Sequence, residues 1–177
     1  MTTGPRRDAT LTDYITGRTI PDIGAEANRQ ALERYLVDKN GFKKTDIAVT
    51  VPIEVEFDDE TYRSAADLAV KIEGRYMMVF KCAAGSLGSR QREVLAVARL
   101  LADYQIPLAI VSDGKTALVF DTLTGARLGE GLSAIPKRSE LVDTLHAITL
   151  QPLPAERRKR EQLIFRSYDS MNVNRLG

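Results

Sequence analysis

The stretch Ser64-Ala65-Ala66-Asp67-Leu68-Ala69-Val70-Lys71-Ile72-Glu73-Gly74-Arg75-Tyr76-Met77-Met78-Val79-Phe80-Lys81-Cys82 decides the fold. Two runs of β-type composition flank Gly74-Arg75, which reads as a tight hairpin connection. Side chains alternate along a strand. Leu68, Val70 and Ile72 are therefore expected on one face, and Asp67, Ala69, Lys71 and Glu73 on the other. On the second run Tyr76, Met78 and Phe80 point one way, and Met77, Val79 and Lys81 the other. An acid that opens one strand and a lysine that closes the next then converge on one side of a sheet. Such a pair suits phosphodiester hydrolysis: the carboxylate holds a divalent metal, and the ammonium orients a water or steadies charge on the phosphate. Lys81 follows an apolar run, where burial is costly without a partner. A structural ion pair to Asp67 or Glu26 is the plain alternative.

Working outward, Gly24 to Asp38 has the apolar spacing of a helix, stopped at Lys39-Asn40-Gly41. Residues 47–57 alternate as a strand, and Pro52 places that strand at an edge or a bend. On the other side, Ala84 to Ser89 is a loop, with Ser89 as an N-cap for a helix over Arg90 to Tyr104. Backbone N–H groups at that helix start, with Arg90 and Arg92, form a candidate phosphate site. Strands follow at Pro107–Ser112 and Thr116–Asp121, then helices at Arg138–Ile148 and from Ala155 to about Met171. The order predicts an α/β fold: a mixed central sheet flanked by helices, with an extra charged C-terminal helix on the surface or against a partner. Residues 1–19 read as a flexible arm, 20–150 as the domain, and 151–177 as the charged helix and tail.

Composition narrows the chemistry. The chain has 177 residues, a length that fits one domain with short appendages. A single Cys and a single His exclude an internal disulfide and the usual Cys/His zinc sites. Cys82 reads as a small core residue and His146 as a helix surface or packing residue. No P-loop or dinucleotide fingerprint occurs. The start carries no export-signal pattern and no apolar run is long enough to span a membrane, so the expected location is the cytoplasm. Net charge is +1, which does not by itself announce a nucleic-acid binder. The basic run Arg157 to Arg160 has acidic neighbours and reads as a solvated helix face.

Helix, three strands and a helix, with Glu26, Asp67 and Lys81 at these places, resemble the core of the PD-(D/E)XK nuclease superfamily. Within it the chain is similar to the N-terminal nuclease domain of the R subunit of type I restriction enzymes. The segments that carry the resemblance are Gly24-Ala-Glu-Ala-Asn-Arg-Gln30, Ser64-Ala-Ala-Asp67, Met78-Val-Phe-Lys81 and Arg90-Gln-Arg-Glu93. The resemblance implies a restriction-endonuclease-like core and a Mg²⁺- or Mn²⁺-dependent endodeoxyribonuclease. Asp67 and Glu26 would be metal ligands, with the backbone carbonyl of Phe80, and Lys81 the catalytic lysine. Arg90, Gln91, Arg92, Gln30 and Ser89 would face DNA. The family's second acid falls on Val79, which has no oxygen to give, and Glu93 on the next helix is the replacement by position. Implied partners are DNA, a second copy of the chain, and the other subunits of a restriction system. If Glu93 does not reach, the same fold serves as a catalytically inactive module that binds DNA or protein.

Overall fold

A computed structural model describes residues 9–174. A short hairpin, β1 (Thr10–Thr12) with β2 (Thr19–Pro21), precedes helix α1 (Glu26–Asp38). Strands β3 (Ile47–Phe57), β4 (Glu60–Ile72) and β5 (Arg75–Cys82) form a meander. Helix α2 (Gln91–Leu100) crosses to β6 (Leu108–Ser112), which is followed by β7 (Ala117–Asp121) and β8 (Arg127–Glu130). Helices α3 (Arg138–Ala147) and α4 (Ala155–Asn174) close the described chain. The six-stranded sheet runs in sequence order, β3 to β8, with only β5–β6 parallel. That parallel pair requires the crossover that α2 supplies. Among the described residues no helix is long and apolar enough to cross a membrane.

The sheet separates two core layers. On one face Val79, Ala69, Ala109 and Val111 pack with Val94, Val97 and Ala98 of α2 and with Phe165 of α4. On the other, Leu68, Val70, Met78, Phe80 and Ile110 pack with Leu32 and Leu36 of α1 and Leu141 of α3. The expected mixed-sheet α/β architecture is thus observed, and Cys82 is a buried core residue. As Pro52 requires, β3 sits at the sheet edge.

Local differences have identifiable causes. The β4–β5 turn is Glu73-Gly74, since Ile72 pairs with Arg75. Both turn residues have positive φ, 50° and 77°, the type I′ geometry that matches strand twist. Asp58-Asp59 repeats the device between β3 and β4, at 47° and 65°. Glutamate is a poor residue for the left-handed region, and its contact with His146 Nε2 at 3.0 Å is solvent-exposed. Glu73→Asn is therefore expected to stabilise the fold by roughly 0.5–1 kcal/mol, read as a raised urea midpoint with unchanged slope. The strand alternation holds from Met78 to Lys81, but the register shifts at Val70/Lys71, leaving Met77 as an extra residue. This bulge puts Met77 beside Met78 in the α1 layer and turns Tyr76 to the α2 layer, reversing the expected direction of both. Strand β8, short and with one exposed leucine, carried no sequence signal.

Residues 1–8 of the expected arm lie outside the described residues. From Thr10 onward the chain is not a loose arm but the β1–β2 hairpin, locked onto α1. Asp13 is buried, accepts a hydrogen bond from Gln30 Nε2 at 3.0 Å and pairs with Arg29 at 3.1 Å. Arg29 also binds Glu26 at 2.6 Å and Glu33 at 3.1 Å. Glu33 is fully buried, and its Oε2 has no hydrogen-bond partner among the described residues. Burial first, and the nearby Asp13 charge second, push its pKa from 4.5 to about 7. The folded chain therefore keeps this proton while the unfolded chain loses it. The stability it contributes is full below about pH 4.5 and lost as pH rises through about 7. Glu33→Gln is expected to match wild type near pH 4 and to exceed it by up to roughly 3 kcal/mol at pH 8, measured by urea unfolding at both values.

Candidate active site

A cavity of about 310 Å³ opens where the N-terminus of α1, β4, the end of β5, the start of α2 and α4 meet. Glu26, Asp67, Lys81 and Glu93 all line it, joined by Arg29, Arg90 and Asp169. The sheet explains part of this convergence. Leu68 pairs with Phe80, so Asp67 and Lys81 are opposite one another on the face that α2 covers. Asp67 is held by its own neighbour strand: its Oδ2 accepts the Cys82 backbone N–H at 2.6 Å. Glu26, in the first turn of α1, is partly exposed at the rim and engaged by Arg29.

Lys81 lies on the floor, 5% exposed. Its ammonium donates to the Ala65 carbonyl at 2.9 Å and pairs with Glu93 Oε1 at 3.1 Å and Asp169 Oδ1 at 3.2 Å. Burial alone would lower the Lys81 pKa. The charges of Asp67, then Glu93 and Asp169, more than offset it and hold the group above its ordinary value, so it stays charged. Burial raises the Glu93 pKa despite the pull of Lys81. Burial also acts to raise Asp169, yet Lys81 and hydrogen bonds with Glu93, Tyr62 and Ser64 bring it below the usual range. Three carboxylates, Asp67, Glu93 and Asp169, thus surround one lysine. Arg90, 3.7 Å from Glu93, adds a second positive charge and leaves one of these carboxylates in surplus. Oxygen-only donors in excess of local positive charge fit a hard divalent ion. Among the described residues, however, no three acidic, His or Cys side chains are already grouped to hold a metal.

The remaining sequence candidates fall in different places. Arg90 reaches the cavity and stands 3.7 Å from Glu93. Gln91 is half-buried and Arg92 exposed at the start of α2, outside the cavity lining. Ser89 is exposed and donates to the Ser86 carbonyl at 2.8 Å. It lies inside a 3₁₀ turn, Gly88–Arg90, rather than at the α2 cap. Gln30 faces away from the cavity lining, its amide taken by Tyr14 N–H at 2.6 Å and by Asp13. Phe80 is buried by its side chain in the α1 layer. Val79, at the missing-acid position, is fully buried under α2. A second hollow of about 390 Å³, near Pro107, Leu123 and Leu141, has Asp121 as its only acid and no lysine or arginine.

The family model described as Type I restriction enzyme R protein N terminus (HSDR_N) matches residues 24–136, well over half of the chain. The chain belongs to this family. The match to the R-protein N terminus spans α1, the whole six-stranded sheet and α2, and so includes Glu26, Asp67, Lys81 and Glu93. Comparison with curated proteins and with solved structures finds no match.

Asp169 lies beyond the matched segment, and the sequence reading missed it. Helix α4 was expected on the surface or against a partner; instead it packs on its own domain, with Phe165 fully buried and Glu161 and Asp169 nearly so. Charged neighbours mask this stripe. Its signal is the spacing of four, Glu161, Phe165, Asp169, which puts the three on one helix face. Arg99 fastens that face to α2 through Glu161 at 2.9 Å.

Proposed function

We propose that this chain is a divalent-metal-dependent nuclease domain that hydrolyses DNA phosphodiesters. The observation that carries the reading is Glu93. From α2 it brings a carboxylate to 3.1 Å from Lys81, in a chain whose Val79 has no oxygen to give. Asp67 and Glu93, with Glu26 and the Phe80 backbone carbonyl, are the groups that would hold Mg²⁺ or Mn²⁺. A bound cation of that kind polarises a phosphate and lowers the pKa of a water. The chain's own residues do the rest. Lys81, kept charged by its acids, offsets negative charge that develops on the phosphate. Arg90 at the cavity binds a phosphate oxygen, and Arg92, Gln91 and Ser89 extend the contact along the strand. A homodimer would present two sites to two strands, and subunits of a restriction system are the expected protein partners.

The test is cleavage of single-stranded, duplex and branched DNA with Mg²⁺ or Mn²⁺, beside Asp67→Asn. Asparagine keeps an oxygen for the Cys82 N–H, so the fold is preserved while the charge is lost. Loss of cleavage in Asp67→Asn is expected; activity that survives it rejects the assignment. A second reading, an inactive DNA- or protein-binding module, is favoured by the buried Val79 and by the lack of a ready-grouped acid trio among the described residues. Calorimetric Mn²⁺ binding that Asp67→Asn abolishes would exclude that reading. DNA binding on either reading is expected to weaken steeply with salt.

A further inference from the structure

A lysine ammonium has three hydrogens. Here the Ala65 carbonyl on β4 and Asp169 Oδ1 on α4 accept two of them, and Glu93 on α2 stands as an ion-pair partner 3.1 Å away. The three differ in how firmly they are held. The Ala65 carbonyl is fixed by the β4 backbone. Asp169 is 1% exposed, and its second oxygen accepts the Tyr62 hydroxyl at 2.5 Å. The Tyr62 ring packs edge-on against Phe165, with centroids 5.9 Å apart, so the brace is itself anchored in the core. Glu93 instead shares the cavity with Arg90, a second cation within 3.7 Å.

We propose that Asp169, braced by Tyr62, is a positioning residue for Lys81. With Ala65 it holds two ammonium hydrogens in place and aims the third into the cavity, toward the side now occupied by Glu93, where a substrate phosphate oxygen accepts it. Helix α4 is then part of the working site, although it lies beyond residues 24–136. The kinetic consequence rests on the nuclease reading; the hydrogen-bond role does not.

Two readouts separate them. The first is the Lys81 ammonium signal in ¹⁵N-lysine NMR, assigned by its loss in Lys81→Arg; a hydrogen-bonded ammonium exchanges slowly enough to be seen. Wild type is expected to show it, and Asp169→Asn, whose neutral amide oxygen is a weaker acceptor than the carboxylate, to lose it to faster exchange. The second is DNA cleavage with Mg²⁺. Asp169→Asn is expected to lower kcat on the order of 10- to 100-fold with KM changed less than about threefold, and Tyr62→Phe to act in the same direction by a smaller factor. An Asp169→Asn protein that keeps both the signal and kcat overturns the proposal. If Asp169→Asn does not fold, Tyr62→Phe decides by the same criteria. If wild type cleaves no DNA, the nuclease reading fails, and the ammonium signal alone then supports or overturns the positioning role.

Discussion

Replacing Lys81 with alanine is expected to destabilise the fold by roughly 3–5 kcal/mol, as well as to abolish any hydrolysis. The reason is what stays behind. Glu93 and Asp169 are 0% and 1% exposed, and both rely on the Lys81 ammonium. Without it they share a buried site whose remaining cation, Arg90, stands 3.7 Å from Glu93, and the acid left over must take up a proton or draw in water. Adding Glu93→Gln and Asp169→Asn to Lys81→Ala is expected to restore most of the loss, because uncharged amides remove the repulsion. Urea unfolding of the single and triple variants at pH 7 measures this. A single-variant loss below about 1 kcal/mol would show that the carboxylates are solvated after all. Kinetic tests of Lys81 must be made below the unfolding transition, or lost stability will be mistaken for lost catalysis.

The second large effect is expected at Phe165. It is the fully buried anchor of α4, packed among α2 residues and against Tyr62. Phe165→Ala removes that contact and leaves a cavity, at a cost of roughly 3–5 kcal/mol and a Tm lower by on the order of 10 °C. Leu163, two residues away and 45% exposed, is the control: Leu163→Ala should shift Tm only slightly. A small loss for Phe165→Ala would mean that α4 is cladding, contrary to its place in the core.

The three successive strands and the helix after them were legible because their signals are local. Alternation marked β3, β4 and β5, glycine and proline marked the turns, and α2 showed an apolar face. Asp67 and Lys81 stood out by strand alternation, Glu26 and Glu93 through the family resemblance, and the structure brings all four to one cavity. What escaped depended on distant partners. The Met77 bulge answers to packing on two faces at once, which no run of residues announces. The β1–β2 hairpin is held by Asp13 with Arg29 and Gln30, polar groups that look like surface until they meet. Asp169 acts on Lys81 from 88 positions away. Its helix has so many charges that Ile164 and Phe165 did not mark a buried face.

The order in which the acceptors of the ammonium are synthesised has a consequence for folding on the ribosome. Ala65, Lys81 and Glu93 emerge early, whereas Asp169 comes from the last described helix. A nascent chain that ends before α4 holds its lysine against one interior carboxylate fewer and lacks the Phe165 cover. Such an intermediate should bind hydrophobic dyes and yield to protease near β4, then lose both properties once α4 docks. Maturation of the pocket would thus wait for α4 to be made and to dock.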